Sequence, residues 1–202
     1  LESVAMVLQC SGNGRGFHKH KASGTPWTVG AAGNVIWSGV PVREVVKAMG
    51  GLADGRNFIT GTGGEQLPAN IDPKTIMVER SVPIAALEDA LLAWEINGKP
   101  ISLAHGGPLR LVLPGYYGVN NVKYIKKLAF TEKESDATIQ RTGYRVRPPG
   151  QKGAPDQPSM WEMSVKSWIT HPLKETDQGP VLIYGVAFGG NKSVKSVAVT
   201  TD

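Results

Sequence analysis

Residues 3–10, SVAMVLQC, form an apolar run of strand length that ends at Cys10. The GNGRG behind it does not continue a strand and reads as a loop. In NVIWSGVPVREVVKAMGG (34–51) the pattern predicts a turn and then a short helix. Val42, Val45, Val46 and Met49 recur at helical spacing, and Gly50-Gly51 stops them. NFITGTG (57–63) reads as a strand entering a glycine loop, and TIMVERSVP (75–83) as a strand ended by Pro83. IAALEDALLAWEING (84–98) reads as a helix, with Ile84, Leu87, Leu91 and Trp94 on one face and Asn97-Gly98 as its C-terminal stop. Leu109, Leu111 and Leu113 then alternate with Arg110 and Val112 in a strand that turns at Pro114-Gly115. VKYIKKLAFTEK (122–133) resumes as a strand carrying Lys123, Lys126 and Lys127.

From about Asp136 to Ser159 the chain is polar, and RPPGQKGAPDQPS (147–159) reads as a connector. After it the texture changes. WEMSVKSWITHP, GPVLIYGVAFGG and VKSVAVTTD are short alternating segments separated by turn residues, the pattern that opens an antiparallel β-sandwich. They are too few to close one. The expected class is α+β, with a mixed domain over 1–156 and an incomplete sandwich over 157–202. No internal repeat or low-complexity tract interrupts it.

Composition changes this picture little. Apolar residues make up 41% and charged residues 19%, which suits a globular chain with a buried core. No segment approaches the roughly 18 to 20 consecutive apolar residues of a membrane span. A net charge of +5 suits an anionic ligand or an acidic partner. Nucleic acid is disfavoured, because no dense basic run interleaves with aromatics. The opening LESVAMVLQC has no initiator methionine and no leader pattern, so a trimmed chain is expected.

Cys10 is the one cysteine, so no internal disulfide forms. A cysteine at a strand end is most often a small buried apolar residue. Here Gly12, Gly14 and Gly16 allow close backbone approach to a ligand, and Arg15 can hold an anion. A nucleophilic cysteine would need an imidazole base, and His18 and His20 are near in sequence only. One Cys and four His lack zinc-ligand spacing. A soft metal with sulfur ligands from outside the protein would need a single thiolate.

LQCSGNGR (8–15) resembles the LQCAGNRR segment of the sulfite oxidase family of molybdenum enzymes. PWTVGAAGNVIWSGVPVREVV (26–46) resembles the stretch that follows it in that family, and residues 80–128 resemble the family's second signature. Residues 160–202 are similar to the first strands of its C-terminal immunoglobulin-like dimerisation domain. The likeness spans nearly the whole chain, in order.

The resemblance implies a molybdenum–molybdopterin cofactor, with Cys10 as the metal ligand. Arg15 matches the arginine that lines the anion pocket, and Trp27 the tryptophan that walls it. Tyr144, in RTGYRV, matches an active-site tyrosine beside the metal. His105, Arg110 and Lys123 match the residues that grip the pterin's terminal phosphate. By periodicity alone, Arg110 could equally point to solvent. His105 and Lys123 would read as an exposed histidine and a solvated charge, and Tyr144 as a loop tyrosine. No role falls to His18 or His20.

The implied reaction is oxidation of sulfite to sulfate by oxygen-atom transfer. Electrons would pass singly to an external acceptor such as a c-type cytochrome. Family habit implies the periplasm and a homodimer. Other oxo-transfer enzymes of the fold stay open: nitrate reductase, sulfane dehydrogenase, a methionine-sulfoxide reductase subunit, or a non-catalytic relative. The chain departs from the family at Gly14, which replaces the first of two adjacent arginines. Further pocket arginines are expected from segments outside the chain. No C-x-x-C-H haem motif occurs.

Overall fold

The computed structural model describes residues 1–20, 23–174 and 179–200. Strand β1 (Glu2–Gln9) pairs antiparallel along its whole length with β2 (Ala32–Pro41). The turn expected near residue 34 is therefore a strand. Trp37 is buried while Ile36 is exposed, and the strand bulges between Ser38 and Gly39 where it meets its next neighbour. Helix α1 (Val42–Ala48) follows directly and buries Val42 and Val46, one turn apart. Met49, expected on that face, is exposed.

Strand β3 (Phe58–Gly63) leads through the one-turn α2 (Pro73–Ile76) to β4 (Glu79–Pro83), and the two strands pair antiparallel. The helix expected over 84–98 is not formed. Only Ile84–Leu87 makes a 3₁₀ turn, and Leu91–Ile96 is strand β5. Its residues fit helical spacing, but β5 lies inside a sheet, bonded to β2 on one edge and to two strands on the other. Those strands are β6 (Lys99–Pro100) and β7 (Arg110–Val112). Two-sided backbone pairing outweighs a local period. Asn97 and Gly98, with φ of 50° and 71°, form the two-residue turn into β6 instead of a helix stop.

Strand β8 (Ile125–Thr131) covers the free edge of β3, giving a second sheet in the order β4-β3-β8. Strand β7 divides two apolar clusters. Leu111 and Leu113 pack with Val42, Ile59, Val82 and Val122, while Val112 packs with Met6, Trp37 and Leu91. Arg110 is in phase with Val112. Alternation thus turns it away from the first cluster and onto Trp37, not into water.

The polar stretch from 136 to 159 is not a free spacer. It contains the short α3 (Thr138–Arg141), and it buries Gln140 and Arg145. Arg145 Nη2 pairs with Glu134 at 2.9 Å. Strands β9 (Lys166–His171) and β10 (Tyr184–Phe188) form a separate antiparallel ribbon. The third expected strand, 194–202, forms no strand among the described residues, and its last two positions lie outside them.

Candidate active site

The loop after β1 is held closely. The Cys10 N–H donates to Ala31 O at 2.9 Å, and the Cys10 carbonyl accepts from Asn13 N at 3.0 Å. Buried Asn13 staples the loop to its neighbours: its Nδ2 donates to Gln9 Oε1 at 3.1 Å, and its Oδ1 accepts from Ala31 N at 3.0 Å. Half-buried Cys10 thus stands at the strand mouth with its sulfur accepting the Gly12 N–H at 3.4 Å, a contact suited to a negatively charged sulfur ligand.

Two cavities meet at this residue. Cys10, Ser11 and Tyr144 line both. The first, about 600 Å³, is also lined by Arg15, Arg145, Arg147 and Lys166, and by no Asp or Glu among the described residues. The Arg15 guanidinium lies between Gly12 and Gly24. A Cβ on either glycine would come within 2.4 Å or 2.1 Å of it, so a side chain at either position would displace the guanidinium from this seat. Its Nη1 donates to Thr25 O at 3.1 Å. Trp27 lines the same cavity and keeps 42% of its surface exposed. His18 reaches the lining, but no imidazole hydrogen-bonds the Cys10 sulfur among the described residues, which counts against a cysteine nucleophile.

Tyr144 holds the junction with φ of 41°, a strained backbone for a tyrosine. Its ring lies under Arg80, whose guanidinium carbon is 5.7 Å from the ring centre. Burial and the charge of Arg145 lower the pKa of Arg80 to about 10. Asn120 Oδ1 accepts from Arg80 at 3.1 and 3.0 Å, and Ile139 O at 2.8 Å.

The second cavity, about 420 Å³, is lined by Arg110 and Lys123. Arg110 is 4% exposed, with its guanidinium carbon 5.1 Å from the Trp37 ring centre. It donates to Asn121 O at 3.2 Å and His105 O at 2.8 Å. Burial lowers its pKa to about 10. Burial, then the charge of Arg110, lowers that of Lys123, whose Nζ donates to Ala104 O at 2.6 Å. Glu65 also lines this cavity, yet neither cation forms an ion pair with a described carboxylate. His105 is the exception in the expected trio. Its backbone joins Arg110, but its imidazole is exposed, bonded to Ser102 Oγ at 2.8 Å.

These residues fit a molybdopterin. One thiol stands where the two cavities meet. Among the described residues no cluster of three His, Cys, Asp or Glu could hold a metal, and a metal at Cys10 would have the cofactor's sulfurs as further ligands. The second cavity holds two cations that form no ion pair with a described carboxylate. Its lining residue Gln9 buries an Nε2 that finds no acceptor. The sequence reading missed Arg145, Arg147 and Lys166. The YRVR spacing beside Tyr144 could have signalled the two arginines; nothing local signals Lys166.

The family described as "Oxidoreductase molybdopterin binding domain" matches residues 1–139. The chain is 33% identical over 97% of its length to an inducible NADH nitrate reductase of Glycine max, covering 25% of that protein. It is 31% identical over 99% of its length to the mitochondrial sulfite oxidase of Drosophila melanogaster, covering 37% of it. The sulfane dehydrogenase SoxCD structure from Paracoccus pantotrophus superposes with a TM-score of 0.73 at 27% identity, over 94% of this chain and 47% of that one. The chain thus spans less than half of each of these relatives.

Proposed function

We propose a function from one premise: the chain belongs to the oxidoreductase molybdopterin-binding domain family, and its cofactor is molybdenum–molybdopterin. Its reaction in this reading is oxidation of sulfite to sulfate. Sulfite takes up one oxygen derived from water and gives up two electrons, and the water releases two protons. The observation that carries this is the pair of cavities sharing Cys10 and Tyr144, one lined by Arg15, Arg145, Arg147 and Lys166 with no described carboxylate and one holding buried Arg110. The sulfite oxidase and sulfane dehydrogenase relatives favour a sulfur substrate.

The bound cofactor supplies the two-electron chemistry. The chain's residues do the rest. The Cys10 thiolate holds the metal. Arg110 and Lys123 hold the pterin's terminal phosphate, whose two negative charges offset these two cations. His105 acts through its carbonyl, which positions Arg110. Arg15 and its cationic neighbours draw in and orient the sulfite oxygens. Trp27 walls the cavity. Tyr144 Oη, at the junction, donates a hydrogen bond to the reacting oxygen and carries the proton released there. Electrons leave singly to a c-type cytochrome or similar acceptor. Residues 1–156 form the cofactor domain, and 157–202 begin an immunoglobulin-like domain through which the full protein dimerises. The periplasm is the proposed compartment.

A second reading is nitrate reduction at the same site, favoured by the 33% identity to a nitrate reductase. Turnover of the molybdenum-loaded protein with sulfite and ferricytochrome c, against nitrate and a reduced dye, separates the two. Nitrate turnover without sulfite turnover would reverse the assignment.

A further inference from the structure

Gly14 sits in the cysteine loop with φ of 87°, a conformation that favours glycine. The space beside it is not empty. The Nζ of Lys166 lies 3.3 Å from where a Cβ on Gly14 would stand, and it donates to the Asn13 carbonyl. Lys166 is the first residue of β9, 153 positions along the chain from Asn13. It lines the same cavity as Cys10 and Arg15. An ammonium carries three N–H donors. One meets Asn13, and no described carboxylate forms an ion pair with Lys166.

Resting on the oxyanion reading of this cavity, we propose that Lys166 is a substrate-binding and specificity-determining residue. It brings a point charge from the β9–β10 ribbon to a loop whose own position 14, a glycine, carries none. Arg15 offers a planar fork and Lys166 a compact ammonium. Arg15 and Lys166 together, in a cavity lined by no described carboxylate, favour a doubly charged pyramidal or tetrahedral oxyanion over a singly charged planar one. Lys166 therefore separates sulfite from nitrate.

The test is calorimetric titration of sulfate and of nitrate into the full chain, in wild type, Lys166→Met, Lys166→Arg and Arg15→Met. Wild type binds sulfate more tightly than nitrate. Lys166→Met weakens sulfate about tenfold and nitrate by less, and Lys166→Arg recovers most of the sulfate affinity. A purely structural tether to Asn13 would not produce that anion-selective loss. If Lys166→Met fails to fold, Lys166→Gln keeps an N–H donor without the charge and should show the same loss. Wild-type sulfate affinity in both neutral variants, with loss in Arg15→Met, overturns the role of Lys166 and leaves the oxyanion cavity standing. A wild-type chain that binds neither anion overturns the cavity reading itself.

Discussion

Arg110 is a charge placed where charge is expensive. Burial in β7 holds its folded-state pKa near 10, below the ordinary 12.5, so the fold carries the charged form at a cost at every pH below that value. The sign follows: the anion-free chain gains stability from this group only as pH rises past its folded pKa, and an anion bound at neutral pH removes the cost. Inorganic phosphate is therefore expected to raise the melting temperature of the chain. Arg110→Met should melt no lower than wild type without phosphate and should lose the phosphate effect. A phosphate shift that survives in Arg110→Met would rule out the cradle. Arg15 acts at the other cavity, and Arg15→Met should raise the sulfite KM about tenfold with little change in kcat. A fall in kcat alone would remove it as an anion binder. Motif likeness named Cys10, Arg15 and Tyr144, and all three line one cavity. The burial of Arg110 was not legible in the sequence, because alternation along a strand says which face a residue takes and not whether that face is covered. His105 matched by motif, yet the structure turns its imidazole outward and uses its carbonyl.

Among the elements, β5 shows where periodicity misleads. Ile84, Leu87, Leu91 and Trp94 satisfy a helical face, but the pairing of Leu91–Ile96 with strands on both edges decides the outcome. The distinguishing residues are Asn97 and Gly98, both at positive φ. Replacing the pair by Ala-Ala should cost about 1–2 kcal/mol in chemical denaturation, since alanine pays for left-handed backbone twice. A helix stop replaced by alanines would instead cost little or extend the helix. A second test lies between α2 and the segment before α3, where Lys74 Nζ pairs with exposed Asp136. Lys74 holds the Asp136 carboxyl below the usual value, and Asp136 raises Lys74. The pair contributes from above the ordinary carboxylate range up to the ordinary lysine range. It is lost as pH falls through the folded pKa of Asp136 and as pH rises through that of Lys74. Asp136→Asn should lower the melting temperature slightly near neutral pH and match wild type in acid. An equal difference at both pH values would contradict the pairing. The connector was legible as polar and turn-rich. Its burial of Gln140 and Arg145 was not, because those contacts reach Ser81 and Glu134 through space.

At the scale of the molecule, the α+β class and the strand that ends at Cys10 could be read from the chain. The meeting of two cavities at one sulfur could not. It depends on β1, the segment around Tyr144 and the first residue of β9 converging from distant parts of the sequence. That convergence is the central claim: Cys10 is the protein's ligand to a metal whose other ligands come from a pterin. Molybdenum per chain, measured by elemental mass spectrometry on protein made in a host that synthesises molybdopterin, tests it most directly. The account predicts one molybdenum per wild-type chain and retention of the fold, with loss of sulfite oxidation, in Cys10→Ser, where a hard oxygen replaces a soft thiolate. A well-folded wild-type chain without molybdenum, or near-normal turnover in Cys10→Ser, would contradict it.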